Sequence, residues 1–209
     1  MKILVADDHS VVRKGLIQII KEMPEVAEVD EAKNGSQVLE KVGSEKYDLI
    51  VLDIGMPDKS GLDILQELKL SNPGLHILIL STYPEDLYAI RALKAGASGY
   101  LNKNTAPEEL SKAICKVASG GKYISGTLAE KLVFNLGDDA DKLPHERLSE
   151  REFQVLCLIA SGKTLSKIAE ELFLSDKTVG TYRTRILEKM NLNNNAEITN
   201  YAFKNNIIE

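Results

Sequence analysis

Through the first 120 residues, short unbroken apolar runs alternate with longer stretches in which apolar residues recur every three or four positions. Ile3 to Ala6 is followed by helical spacing over Val11 to Ile20, Val26 to Val29 by Gln37 to Val42, and Leu49 to Leu52 by Leu62 to Leu70. Ile77 to Leu80 precedes Leu87 to Leu93, and a fifth short run, Gly99 to Leu101, precedes a helix opened by Pro107-Glu108-Glu109. The apolar runs are too short for buried helices and read as strands covered on both faces, which is the pattern of a parallel sheet. Proline at an early helical position with acids in the first turn is a helix start. Five strand–helix units in sequence predict an α/β doubly wound five-stranded parallel sheet.

The pattern changes after residue 122. Residues 123–147 read as a linker, with modest helical periodicity over 124–136 through Leu128, Leu132 and Leu136. It then becomes polar and acidic from Gly137 to Pro144, the composition of a domain boundary. From residue 148 to residue 209 every element reads as helix. Ser149 with Glu152 three residues on is a capping-box pattern, Phe153, Leu156, Cys157 and Ala160 form a buried stripe, and Ser161-Gly162 ends that helix. Thr164 begins a second helix through Leu172, Ser175 caps a third running to Met190, and a fourth spans Asn195 to Phe203. Helix, short turn, helix is the arrangement whose second helix enters the major groove of DNA. On the third helix Val179, Tyr182, Ile186 and Met190 share the side expected to face the core. Lys177, Gly180, Thr181, Thr184 and Glu188 share another.

Length and composition fit this division: 209 residues with 44% hydrophobic content suffice for two ordinary globular cores. No apolar run approaches the roughly 20 residues that span a bilayer. The acids Asp7-Asp8 come too early for a signal peptide, so a cytoplasmic location is expected and no membrane partner. Cys115 and Cys157 lie far apart in helical patterns without metal-ligand spacing and are expected to be buried small hydrophobes. The net charge of -5 argues against coating nucleic acid by electrostatics alone, but its distribution is uneven. From His145 onward nine basic residues face nine acidic ones, so the deficit belongs to residues 1–144, and any DNA contact must come from local clustering.

Candidate chemistry sits where the strands stop. In such a sheet the carboxyl ends of the central strands converge on one crevice, which brings together Asp7-Asp8, Asp53, Ser81-Thr82 and Asn102-Lys103. Three carboxylates repel one another unless a cation intervenes, and hard oxygen ligands with places left for water and phosphate suit Mg²⁺. Lys103 would offer a positive charge to an anionic group on Asp53, and the Ser81 hydroxyl a hydrogen bond. The constellation describes an aspartate that accepts a phosphoryl group.

These motifs carry a resemblance. Asp7-Asp8, Asp53 followed by Met56-Pro57 and Gly61, and Gly96-Ala97-Ser98-Gly99-Tyr100 before Lys103 resemble the flavodoxin-like receiver domain of two-component response regulators over residues 1–122. Leu148-Ser149-Glu150-Arg151-Glu152, Ile168-Ala169-Glu170 and the run from Phe173 to Val179 followed by Tyr182, Ile186 and Lys189-Met190 are similar to the LuxR-type helix-turn-helix of the NarL/FixJ class. The resemblance implies that Asp53 is phosphorylated by a sensor histidine kinase. It implies that Asp8, Asp7 through water, Asp53 and the backbone carbonyl of Gly55 hold Mg²⁺. Ser81 would be the switch hydroxyl, and Tyr100 the aromatic that swings inward after phosphorylation. It further implies a homodimer on double-stranded promoter DNA, with the fourth helix as a dimer contact and RNA polymerase as a further candidate partner. The expected DNA-facing residues are Lys177, Thr178, Gly180, Thr181, Arg183, Thr184 and Arg185, with Thr181 and Thr184 on base edges and Lys177, Arg183 and Arg185 on phosphates.

The chain also departs from its relatives. Asn104 stands where many receivers have Pro. Gly180, Tyr182 and Ser166 replace a frequent Lys, His and Lys. Gly55 is two residues past Asp53, where phosphohydrolases of the haloacid dehalogenase type, which also phosphorylate a strand-end Asp, place a second Asp as acid/base. That enzyme reading is therefore disfavoured. A constitutive transcription factor with a purely structural receiver is the remaining alternative, and the complete acidic pocket speaks against it.

Overall fold

A computed structural model describes residues 1–83, 85–126, 128–129, 143–205 and 207–208. It divides into two compact units, Met1–Leu136 and Gly137–Glu209. In the first, β1 (Lys2–Ala6), α1 (Ser10–Lys21), β2 (Glu28–Ala32), α2 (Gly35–Ser44), β3 (Leu49–Leu52), α3 (Gly61–Ser71), β4 (His76–Ser81), α4 (Glu85–Lys94), β5 (Gly99–Asn102) and α5 (Pro107–Ala118) alternate. The sheet is parallel throughout, in the order β2-β1-β3-β4-β5. The order reverses between β1 and β3, and ligands of such sheets bind at the carboxyl ends beside that reversal.

Successive strand residues point to opposite faces, and in β1, β3, β4 and β5 both faces are dry. Ile3, Val5, Leu49, Val51, Leu78, Leu80 and Leu101 form one cluster with Ile20 and Met23 at the end of α1 and with Leu110, Ala113, Ile114 and Val117 of α5. The residues between them, Leu4, Ile50, Leu52, Ile77 and Ile79, are equally buried. Each such side chain contributes about 2 kcal/mol of transfer free energy, enough to fix which face of every strand looks which way. The crevice residues inherit their directions from this register.

Two sequence expectations need correction here. The second strand runs over Glu28–Ala32, not Val26 to Val29, because Val26 closes the turn after α1 by donating its N–H to Met23 O at 3.1 Å. An edge strand with three acids in its five residues pairs through its backbone and carries no apolar run to betray it. Cys115 is exposed and Cys157 half-buried: α5 buries Leu110, Ala113, Ile114 and Val117, and position 115 falls off that stripe. The expected helix over 124–136 lies for the most part outside the described residues. Gly61 is required by packing, since a Cβ there would lie 2.0 Å from the Asp53 carbonyl oxygen.

The second unit has a 3-10 turn at Pro144–Arg147 and helices α6 (Glu150–Ala160), α7 (Leu165–Glu171), α8 (Asp176–Met190) and α9 (Asn195–Lys204). Ser149, Thr164, Ser175 and Asn194 cap the four N-termini by accepting from the backbone N–H three residues on. The reciprocal Glu152 bond completes a capping box on α6, and Asn191 in the left-handed region ends α8. Phe153, Leu156, Ile168, Val179, Ile186, Met190 and Ile198 are buried, and Tyr182 is half-buried.

Candidate functional site

Asp7, Asp53 and Lys103 each sit one residue beyond a strand and are held by the ladder it extends. Asp7 donates its N–H to Ala32 O at 3.1 Å, Asp53 to Ala6 O at 2.9 Å, and Lys103 to Ser81 O at 2.9 Å. These bonds bring the side chains together: the Lys103 ammonium lies 2.7 Å from Asp7 Oδ2 and 2.8 Å from Asp53 Oδ2. Asp7 and Asp53 are only 1% and 4% exposed, so this cation is what makes two buried carboxylates tolerable. Burial pushes the Asp53 carboxyl above the usual carboxylate range, Lys103 pulls it back, and Asp7 adds to the rise. Burial alone would lower Lys103, but Asp53 and Asp7 outweigh it and hold the ammonium charged.

Around this pair stand Asp8, half-buried, and His9, whose Nδ1 is 2.7 Å from Asp8 Oδ1. One ligand atom from each of Asp7, Asp8, His9 and Asp53 lies within 4.8 Å of the others. Three carboxylates make a hard-oxygen donor set, the chemistry that suits Mg²⁺. Gly55 lies against the phosphoacceptor candidate: a Cβ there would be 3.5 Å from Asp53 Oδ2. The loop is wound tightly, with Met56 and Gly61 both donating to Ile54 O, at 2.9 and 3.0 Å.

Ser81 is fully buried at the end of β4, and its Oγ accepts from Tyr83 N at 3.2 Å. Tyr100 is also buried, its hydroxyl donating to Tyr83 O at 2.8 Å. The Tyr100 side chain is thus already buried in this structure. The Tyr83 ring stacks on Tyr88 of α4, with centroids 4.6 Å apart. Asn104, where proline was noted as missing, donates its N–H to Asn102 Oδ1 at 2.9 Å, and there is no cis peptide bond among the described residues.

Sequence reasoning missed three residues that shape the crevice. Arg13 of α1 donates to Asp7 O at 2.7 Å and to Glu31 Oε2 at 2.8 Å. Asp58 accepts from Gly35 N, Ser36 N and Ser36 Oγ at 2.8, 2.8 and 2.7 Å, which ties the loop after Asp53 to the N-terminus of α2. Burial would raise the Asp58 carboxyl, but the Ser36 hydroxyl and these amides hold it below the usual range. Tyr83, which engages both Ser81 and Tyr100, carried no signal.

On α8, Lys177, Thr181, Thr184 and Arg185 are exposed, while Thr178, Gly180 and Arg183 are half-buried. Thr181 and Thr184 donate their hydroxyls to the carbonyls of Lys177 and Gly180, at 3.0 and 3.1 Å, which leaves their methyls as the groups without a hydrogen-bonding role. Arg183 Nε is tied to Asn195 Oδ1 of α9 at 2.6 Å, and Ser166 Oγ to Asp176 Oδ2 at 2.6 Å. A Cβ at Gly180 would meet nothing within 4 Å.

The chain is matched by the family model described as response regulator receiver domain over residues 3–115, and by that of the bacterial regulatory proteins of the luxR family over residues 146–202. The oxygen regulatory protein NreC of Staphylococcus carnosus is 38% identical across 100% of both chains. The response regulator GacA of Pseudomonas protegens is 34% identical, covering 100% of this chain and 98% of that one. Among solved structures, RcsB of Salmonella enterica serovar Typhimurium, bound to promoter rprA in the presence of the phosphomimetic BeF3-, is 25% identical with a TM-score of 0.64. It covers 96% of this chain and 98% of its own.

Proposed function

The chain belongs to the two-component response regulators with a LuxR-type DNA-binding domain, and from that premise we propose which of its residues carry the signal. Asp53 is the phosphoacceptor. One of its carboxylate oxygens attacks the phosphorus of a donor phosphohistidine or acyl phosphate, the bond from phosphorus to the donor breaks, and the leaving group keeps that electron pair. Asp7, Asp8, Asp53 and the Gly55 carbonyl would hold Mg²⁺, which when bound neutralises charge on the phosphoryl oxygens. Lys103 supplies a second positive charge against the new phosphate, and Ser81 exchanges its bond from Tyr83 N for one to a phosphoryl oxygen. The observation that carries the reading is the Lys103 ammonium bridging two buried strand-end carboxylates at 2.7 and 2.8 Å. No hydrolytic acid/base stands two residues beyond Asp53, since Gly55 has no side chain.

In the second unit α8 is the recognition helix. Thr181 and Thr184 present methyls suited to thymine C5-methyl groups, with Gly180 leaving room beside them, Lys177 and Arg185 hold phosphates, and Thr178 lies at the groove edge. Arg183 keeps its Nη donors for phosphate while its Nε is bonded to Asn195. The working form is a homodimer on paired half-sites of promoter DNA, phosphorylated in the cytoplasm by a sensor histidine kinase, with RNA polymerase as the downstream contact. Among the described residues no helix is long and apolar enough to cross a membrane. Intact-mass measurement after incubation with Mg²⁺ and acetyl phosphate tests the acceptor: one phosphate-sized increment is expected, absent in Asp53→Ala. An increment that survives that substitution refutes the assignment.

A further inference from the structure

We propose that Arg13 is a positioning residue for the acidic pair, setting the Mg²⁺ requirement of phosphorylation through the peptide that joins Asp7 to Asp8. The inference rests on the reading of this crevice as a Mg²⁺-dependent phosphoacceptor site. Arg13 is 9% exposed, unusual for a helix arginine with no substrate to meet. Its Nη1 donates to Asp7 O at 2.7 Å, and its Nε to Glu31 Oε2 at 2.8 Å. The Asp7 carbonyl belongs to the planar peptide that carries the Asp8 nitrogen, so holding that oxygen fixes the plane from which both acids project. Asp7 is also tied by its N–H to Ala32 O at 3.1 Å, by Lys103 to its carboxylate at 2.7 Å and by His9 N to its Oδ1 at 2.8 Å, and none of these holds its carbonyl. Arg13 is therefore the side chain that holds the Asp7 carbonyl, and its bond to Glu31 anchors that hold on β2.

Charge alone predicts the opposite behaviour. A buried guanidinium beside three carboxylates repels Mg²⁺, and its removal would then improve binding. Glu31 decides between the two effects. Its carboxylate pairs with the guanidinium at 2.8 Å, so at the distance of the crevice the two charges largely cancel. What Arg13 retains is geometric. Orienting partners of this kind change metal affinity by about 10- to 100-fold when removed.

The experiment uses the full chain. The Mg²⁺ dependence of phosphorylation by acetyl phosphate is measured by intact mass, and Mn²⁺ binding to the unphosphorylated protein by electron paramagnetic resonance, for wild type, Arg13→Gln, Arg13→Lys and Glu31→Gln. Arg13→Gln is expected to raise the half-saturating Mg²⁺ and the Mn²⁺ Kd by about tenfold, with the maximal rate at saturating Mg²⁺ within about threefold of wild type. Arg13→Lys should recover part of the loss, since an ammonium can keep the Asp7 carbonyl. Glu31→Gln, which frees the guanidinium charge and loosens its anchor, should also raise both constants. Unchanged or lowered Mg²⁺ and Mn²⁺ constants in Arg13→Gln overturn the proposal while leaving the phosphoacceptor reading intact. Should Arg13→Gln fail to fold, unchanged constants in Glu31→Gln and Arg13→Lys overturn it equally. A wild-type chain that neither binds Mn²⁺ nor needs Mg²⁺ overturns both.

Discussion

Taking away the ammonium of Lys103 would leave Asp7 and Asp53 facing each other in a buried crevice with no intervening charge. Burial and Asp7 already push the Asp53 carboxyl upward, and Lys103 is the opposing influence. Lys103→Met should therefore raise the Asp53 titration midpoint further, read by carboxyl carbon NMR in metal-free buffer. It should also slow phosphorylation by acetyl phosphate about 100-fold, the cost of removing one preorganised group that meets developing negative charge. A midpoint that stays put would mean that Asp53 is solvated more freely than its 4% exposure implies. At this scale the legible residues were those that end a strand: Asp7, Asp53 and Lys103 are placed by the ladder, and the ladder is visible as apolar runs. Arg13, Asp58 and Tyr83 were illegible because each acts on a partner from another element. Nothing in a run of neighbours says that position 58 will cap the helix that starts at 35.

Elements carry their own tests. Glu152 is 2% exposed, bonded to Ser149 N at 2.7 Å within α6 and to Lys189 of α8 at 2.6 Å. Burial would raise its carboxyl, but Lys189 and the Ser149 amide outweigh this and hold it below the usual range. A folded-state value below the unfolded one means that the stabilisation is present above the unfolded pKa and is lost as pH falls through the folded one. Amides of α6 should thus exchange faster with solvent as pH drops through the carboxylate range, after correction for intrinsic rates. Glu152→Gln should flatten that dependence while costing about 2 kcal/mol at neutral pH. On α8, Gly180→Ala meets open space and should stabilise the unit by about 1 kcal/mol in urea unfolding. Weaker operator binding by the same variant would mark a close approach of DNA to that position. The helices of this unit were legible almost to the residue because Ser149, Thr164, Ser175 and Asn194 all cap with their own side chains. β2 was not, since an edge strand stabilised by backbone pairing leaves no apolar pattern.

For the whole molecule the question is how a phosphate on Asp53, the acceptor proposed above, would change DNA binding, and salt dependence can separate two answers. The chain carries a net charge of -5, and residues from His145 onward are balanced, so net charge does not draw it to DNA. Affinity must come from a few phosphate contacts, each of which releases counterions. The exposed cations of α8 are Lys177, Arg185 and Lys189; Lys189 is paired with Glu152 and Arg183 Nε with Asn195, which leaves Lys177 and Arg185 as the exposed cations for such contacts. Two phosphates per recognition helix give a slope of log Kobs against log salt of about −2 for one helix and about −4 for two. If phosphorylation acts by dimerisation, the slope should steepen about twofold on phosphorylation, measured at protein concentrations where the unphosphorylated chain is monomeric. If it acts by raising the affinity of each helix separately, the curves should shift in parallel. Lys177→Ala distinguishes a true phosphate contact from a general charge effect, because it should lower the slope of the phosphorylated form by about 2, one phosphate from each protomer, and weaken all sequences alike. Thr181→Ala, which removes a methyl and no charge, should leave the slope unchanged and relax the preference among operators instead.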